Sequence, residues 1–143
     1  PAGYKAMKDF SQYLVTCGLE PALLDLIKIR ASQINGCAYC LDMHTKDAQA
    51  MGETEERMRL LPAWRECPLY NDRERAALAW TEALTLISET HAPDALYQDV
   101  RKVFSEKETV DLTHAIAVIN SWNRFMVAFR VPSGTYQPPH PKA

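Results

Sequence analysis

The sequence predicts an all-α fold, and three observations carry that reading. Apolar residues recur at three- and four-residue spacing along most of the chain. Two capping boxes and several Gly or Pro stops cut that pattern into helix-sized pieces. No stretch alternates polar and apolar residues as a half-buried strand would. The 143 residues suffice for one domain with its own core, without disulfide or metal staples.

Each element follows from its residues. Tyr4, Met7, Phe10 and Leu14 form a helical stripe ended by Gly18 and Pro21, so residues 1–20 are expected to supply a cover helix. Pro21 suits the first turn of a second helix, which runs through Leu23, Leu24, Leu26, Ile27 and Ile34 and carries Asp25. Asn35-Gly36 reads as a left-handed stop, after which the chain re-enters a helix at Cys37 or Ala38. That third helix continues through Cys40, Met43, His44, Ala48 and Met51 to Gly52, with Asp42, Lys46 and Gln49 on its solvent face.

Thr54, followed by Glu55 and Glu56, caps a short helix ending near Pro62, and residues 62–69 form a connector around Trp64. Asn71 and Glu74 make a capping box for a long helix through Leu78, Trp80, Ala83, Leu84 and Ile87. Another helix follows Pro93, with Leu96, Val100, Val103 and Phe104 at helical spacing. A second capping box, Ser105 with Glu108, opens the most apolar helix, Val110 to Phe129, stopped by Pro132. Being apolar nearly all round, it is either the central helix or has a second face against another subunit. Residues 132–143 are expected to be an extended arm, with Pro138, Pro139 and Pro141 barring helix.

Composition narrows the function classes. The net charge is −2, so no basic excess points to nucleic acid or an anionic membrane surface. No apolar run reaches the roughly 18 residues of a membrane span, and the first residues lack a secretory pattern. A soluble, cytoplasmic protein is expected. Cys17 and Cys67, each beside Gly or Pro in a predicted loop, read as isolated small residues, and His114 as structural.

The chemistry concentrates in Cys37-Ala38-Tyr39-Cys40 and His44. Helical spacing puts His44 one turn from Cys40, a base beside a nucleophile. Cys37 would sit at a helix N-terminus, where free amides and the dipole favour a thiolate. Two thiols three residues apart can close into a disulfide, so one can attack a substrate and the other displace what remains. A metal site is the rival: Cys37, Cys40 and His44 supply three zinc ligands, with Cys17 or Cys67 as a fourth. In that case the chain is a non-catalytic, oligomeric zinc-binding or redox-sensing module.

The run from Asp25 through Arg30-Ala31-Ser32-Gln33-Ile34-Asn35-Gly36-Cys37 to Cys40 and His44 resembles the signature of the AhpD-like alkylhydroperoxidases, within the carboxymuconolactone decarboxylase superfamily. The segments 75–83 and 119–125 are similar to two further stretches of that family, so the resemblance covers about residues 25–130. It implies a helical bundle assembling as a homo-oligomer (dimer, trimer or hexamer) that reduces hydroperoxides with a thiol pair. It assigns peroxide attack to Cys40, resolution to Cys37, and a proton relay to His44 and Asp25. No cofactor is implied beyond an external dithiol or disulfide-reductase donor.

Two residues depart from the family pattern. Asp25 is one methylene shorter than the usual glutamate, and Tyr39 stands where some members carry a further histidine. The cysteine pair argues against the branch of decarboxylases that lack it. Glu82, inside a largely apolar helix, is read either as a second carboxylate near the site or as an ion-pair partner.

Overall fold

The computed structural model describes residues 1–139, and among them it contains helices, turns and an extended tail but no strand. The helices are α1 (Ala2–Gln12), α2 (Pro21–Asn35), α3 (Ala38–Ala50), α4 (Glu55–Leu60), α5 (Asp72–Thr85), α6 (Ile87–Thr90), α7 (Asp94–Val103) and α8 (Glu106–Ala128). Tight 3₁₀ turns occupy Tyr13–Val15 and Leu61–Ala63.

The architecture is built around α2, which packs on α3, α5 and α8. Three of its faces are buried. Leu23, Leu24 and Ile27 enter a core with Ala77 and Trp80 of α5, Val100 of α7, and Leu112 and Ile116 of α8. Leu26 and Ile29 enter a second core with Ala48, Leu61, Trp64 and Leu78. Ala31 closes a third with Cys37, Cys40 and Ile119. At about 1.5–3 kcal/mol per fully buried aliphatic side chain, this helix contributes more to the core than any surface helix can. The longer α8 supports it but leaves Val110 and Phe125 exposed at 64% and 43%, with Phe129 just past its end at 73%.

Both capping boxes are formed. Asn71 and Ser105 each accept the backbone N–H of the glutamate three residues on, and that glutamate accepts the cap's own N–H. The cover helix has no buried residue of its own and is pinned to α8 by polar contacts: Trp122 Nε1 donates to Ser11 Oγ at 2.8 Å, and His114 Nε2 lies 2.8 Å from the Phe10 carbonyl. His114 is thereby structural.

Two expectations are corrected. The long helix through Ile87 breaks at Leu86, where ψ turns to 39°, and restarts as the short α6. The Thr90 hydroxyl donates to the Ala83 carbonyl at 2.7 Å, a side-chain contact that periodicity does not reveal. The face of α3 expected in solvent is partly covered by the tail. Gly134 N–H donates to Asp42 Oδ2 at 3.0 Å, Lys46 Nζ to the Tyr136 carbonyl at 3.0 Å, and Tyr136 OH to Asp47 Oδ1 at 2.6 Å. Only Gln49 of that face stays exposed. The expected arm over 132–143 is therefore docked where it is described; residues 140–143, with Pro141, lie outside the described residues.

Candidate active site

The site begins with a reversal. Gly36 ends α2 in the left-handed region at φ 65°, and the Cys37 N–H returns to the Ser32 carbonyl at 3.0 Å. An L side chain at Gly36 would meet no atom but would carry backbone strain. The turn delivers Cys37 as the N-cap of α3, and its Sγ accepts the Cys40 backbone N–H at 3.3 Å. The Cys37 sulfur thus faces a free amide at the positive end of the helix, as the spacing predicts.

Cys40, one turn along, is 2% exposed, and Cys37 is 1% exposed; both are free thiols. They pack against Ala31 and Ile119, with Tyr39, Met126 and Val127 at the edge. Burial pushes the Cys40 thiol up to about 12; the neighbouring Cys37 adds to the rise and Asn123 opposes it. Burial disfavours the thiolate, so the resting sulfur is a protonated thiol awaiting a base.

His44 is half-buried one turn beyond Cys40. Burial, reinforced by the Lys28 ammonium, pushes its imidazole down to about 3, so it is neutral at pH 7. Asp25 faces a cavity of about 390 Å³ lined by Ala22, Ala48, Met51, Glu53, Arg57 and Glu74. Burial pushes its carboxyl up to about 6, Lys28 opposes the rise, and Asp47 and Glu53 add to it. Among the described residues no hydrogen bond joins His44 to Cys40, to Cys37 or to Asp25. The structure brings the two cysteines together and leaves the two relay groups unpaired.

The other candidates resolve differently. Among the described residues no three His, Cys, Asp or Glu side chains cluster to hold a metal ion, so Cys37, Cys40 and His44 do not converge as zinc ligands. Glu82 is held by Arg30 Nε and Trp64 Nε1, each at 2.9 Å, and by Arg65. Burial opposes its charge, yet Trp64, Arg65 and Arg30 keep the carboxyl below its ordinary range; it is an ion-pair partner. Cys17 packs in the first core with its thiol directed at the Leu14 carbonyl, and Cys67 packs against the second.

Sequence reasoning missed Asn123, which is 1% exposed and whose neighbours along the helix, Ile119 and Met126, pack in the cluster that holds Cys37 and Cys40. Asn35 Nδ2 donates to Asn123 Oδ1 at 2.9 Å and to Asn120 Oδ1 at 3.0 Å, and Asn123 Nδ2 donates to Ser32 Oγ at 3.0 Å. The signal was two amides three residues apart on an otherwise apolar helix, which demand buried partners. Lys28, one turn from Asp25, was missed as well.

Residues 1–83 match the model of the carboxymuconolactone decarboxylase family. The uncharacterised protein YdfG of Bacillus subtilis is 48% identical over 128 residues, spanning 90% of this chain and 87% of its own length. The crystal structure of a protein of unknown function from Agrobacterium tumefaciens, provisionally an antioxidant defence protein AhpD, superposes with a TM-score of 0.90 at 44% identity, covering 94% of this chain and 92% of that one. An uncharacterised peroxidase-related protein from Silicibacter superposes with a TM-score of 0.81, covering 92% and 70%, and at 21% identity speaks for the fold alone. With more than half its length in the family model and a relative of 48% identity along most of it, the chain is an AhpD-like member of the carboxymuconolactone decarboxylase family.

Proposed function

We propose that the protein is a thiol-dependent peroxidase that reduces small-molecule hydroperoxides. The observation that carries this reading is the pair of free, buried cysteines in contact at the start of α3. The 44% identity to a provisional antioxidant defence protein supports it.

The chemistry follows from what each residue offers. His44 takes the Cys40 proton, its ring swinging inward or acting through one water. The thiolate attacks one peroxide oxygen, the O–O bond breaks, and the leaving oxygen takes the proton from His44 to depart as alcohol or water. Cys40 is left as a sulfenic acid, oxidised by two electrons. Cys37 then attacks the Cys40 sulfur and the S–O bond breaks. Water leaves with the Cys37 proton, and a disulfide remains. An external dithiol supplies the two electrons that restore the pair. Asp25, one methylene shorter than the usual glutamate, acts through water to stabilise the imidazolium.

No helix among the described residues is long and apolar enough to cross a membrane. The working form is a cytoplasmic homo-oligomer, where thiols stay reduced between turnovers; the exposed Val110 and Phe125 of α8, with Phe129 just past its end, support the assembly.

The test uses limiting peroxide with a sulfenic-acid trap and a dithiol donor. Cys40→Ser is expected to abolish both trapping and turnover; Cys37→Ser keeps the trapped adduct on Cys40 and loses turnover. A Cys40 that never yields the adduct in the wild-type protein would falsify the peroxidase reading.

A further inference from the structure

Cys37 and Cys40 are both buried, so a substrate reaches their sulfurs only after something that covers them has moved. The cover is uneven. Ala31 and Ile119 belong to the interior of α2 and α8 and are buried with the cysteines. Tyr39, Met126 and Val127 are the half-buried members of the same cluster and form the edge that solvent reaches. Tyr39 lies in the first turn of α3, which is tied down at its start: the Cys37 N–H donates to the Ser32 carbonyl at 3.0 Å, and the Leu41 N–H to the Cys37 carbonyl at 2.9 Å. Met126 and Val127 lie in the last turn of α8, which is held far less firmly.

Asn123 marks where the firm hold on α8 ends, since its side chain accepts from Asn35 at 2.9 Å and donates to Ser32 at 3.0 Å. Beyond it Arg124, Phe125, Ala128, Phe129 and Arg130 are exposed. Only Met126 and Val127 are half-buried there, so the grip of this turn on the protein is the cover itself. Two capping bonds close the turn: the Val131 N–H donates to the Met126 carbonyl at 3.0 Å, and the Arg130 N–H to the Val127 carbonyl at 3.2 Å. Such a cap needs a left-handed residue, usually glycine. Here it is Arg130, at φ 53°, whose side chain makes that backbone strained. The carbonyls secured by the strained cap are those of the two covering residues, and a helix end held in this way opens at lower cost than a core. We propose that residues 126–131 are a gate over the thiol pair, with Met126 as its closing side chain, and that its opening sets how fast, and how large, a hydroperoxide reaches Cys40. The selection of hydroperoxides rests on the peroxidase reading. The gate does not, because it is a property of the reduced protein alone.

The experiment measures iodoacetamide alkylation at one fixed pH in the reduced full-length protein, with each cysteine read separately by mass spectrometry. Gel filtration matches the variants for size and thermal unfolding for folding. Cys17, buried in the first core and not in the cluster under the gate, reports openings of the protein as a whole. Met126→Ala is expected to speed alkylation of Cys40 roughly tenfold, the worth of about half of a methionine's full burial, and to leave Cys17 within about twofold. Arg130→Gly relieves the strained cap and is expected to slow Cys40 roughly fivefold. If folded Met126→Ala speeds Cys40 no more than Cys17, the proposal is overturned. If Met126→Ala does not fold, an unchanged Cys40 rate in Arg130→Gly overturns it instead. Turnover of hydrogen peroxide and of the bulkier cumene hydroperoxide tests the selection: Met126→Ala is expected to raise kcat/KM for the larger relative to the smaller, and an unchanged ratio overturns that part. Selective acceleration of alkylation with no turnover of either peroxide by the wild type leaves the gate standing and removes the peroxidase; turnover without selective acceleration does the reverse.

Discussion

One stretch of α3 presents two regions built on opposite principles. Around Cys37 and Cys40 the polar groups are partnered within the protein: the Cys40 amide on the Cys37 sulfur, and a network of Ser32, Asn35, Asn120 and Asn123 joining α2 to α8. One turn along α3, His44 has no side-chain hydrogen-bond partner among the described residues, and neither has Asp25 on α2, which opens onto a cavity wide enough for water. The first region is fixed before substrate arrives. The second is left without such partners, and the protein carries the cost of two ionisable groups whose charged forms burial disfavours.

The largest effect that tests this contrast is on catalysis. His44→Gln removes the base and is expected to lower peroxide turnover by roughly 10²- to 10⁴-fold, with the protein still folded by circular dichroism. Turnover within about twofold of wild type would show that the thiol region needs no imidazole, and the contrast would lose its functional meaning.

Stability should respond with opposite signs in the two regions. Asn35→Ala strips the donor from the buried Asn123 oxygen, an unsatisfied acceptor costing about 1–3 kcal/mol in chemical denaturation. Asp25→Asn removes a disfavoured charge and is expected to stabilise the protein at pH 7.5 by about 1–2 kcal/mol after allowance for screening at the cavity mouth. Loss of stability in Asp25→Asn would mean that the carboxylate has a partner after all.

The pH dependence sharpens the same point. Asp25 has a folded value of about 6, above the ordinary carboxyl value. The folded state therefore holds a proton that the unfolded chain does not, and stability falls as pH rises between about 4 and 6. His44 has the reverse relation, with a folded value of about 3 below its ordinary 6.5. Over the same interval the unfolded chain holds the extra proton, and stability rises with pH. Each contributes a slope of up to about 1.4 kcal/mol per pH unit, and in the wild type they nearly cancel. Relative to wild type, Asp25→Asn should gain a positive slope between pH 4 and 6, and His44→Gln a negative one. Parallel curves for all three proteins would sink the assignment of these shifts.

What was legible in the sequence was whatever local chemistry dictates. Gly36 ends α2 because only a left-handed residue turns the chain there, and Cys37 becomes an N-cap as a consequence. Asn71 and Ser105 announce their helices by the glutamate three residues on. Illegible were the features set by contacts distant in sequence. The buried Asn123 finds its partners in Ser32 and Asn35, about ninety residues away. The break at Leu86 and the docking of the tail likewise depend on single hydroxyls and amides with no period. Periodicity left α8 as either the central helix or one with a second face against another subunit, because it counts apolar residues and not how many neighbours surround them; the centre is α2. Asp25 was placed in the relay by register, and register does not fix where a shortened side chain ends.

The smallest expected effect concerns the tail, which lies on the opposite side of the contrast from the sulfurs. Tyr136→Phe removes one hydroxyl that donates to Asp47 at 2.6 Å, on a segment whose other ties are Gly134 to Asp42 and Lys46 to the Tyr136 carbonyl. A single hydrogen bond at a half-exposed site is worth about 0.5–1.5 kcal/mol, and Asp47 can recruit water in its place, so global unfolding should barely move. Local opening should change more: the Gly134 amide is expected to exchange several-fold faster with solvent deuterium while α2 amides are unaffected. The Cys40 alkylation rate should stay within about twofold of wild type, because the sulfur is enclosed by Ile119, Tyr39 and Met126 and not by the tail. A larger acceleration would make residues 132–139 part of the barrier over the thiols, and the division between a sealed region and an open one would have to be redrawn to include them.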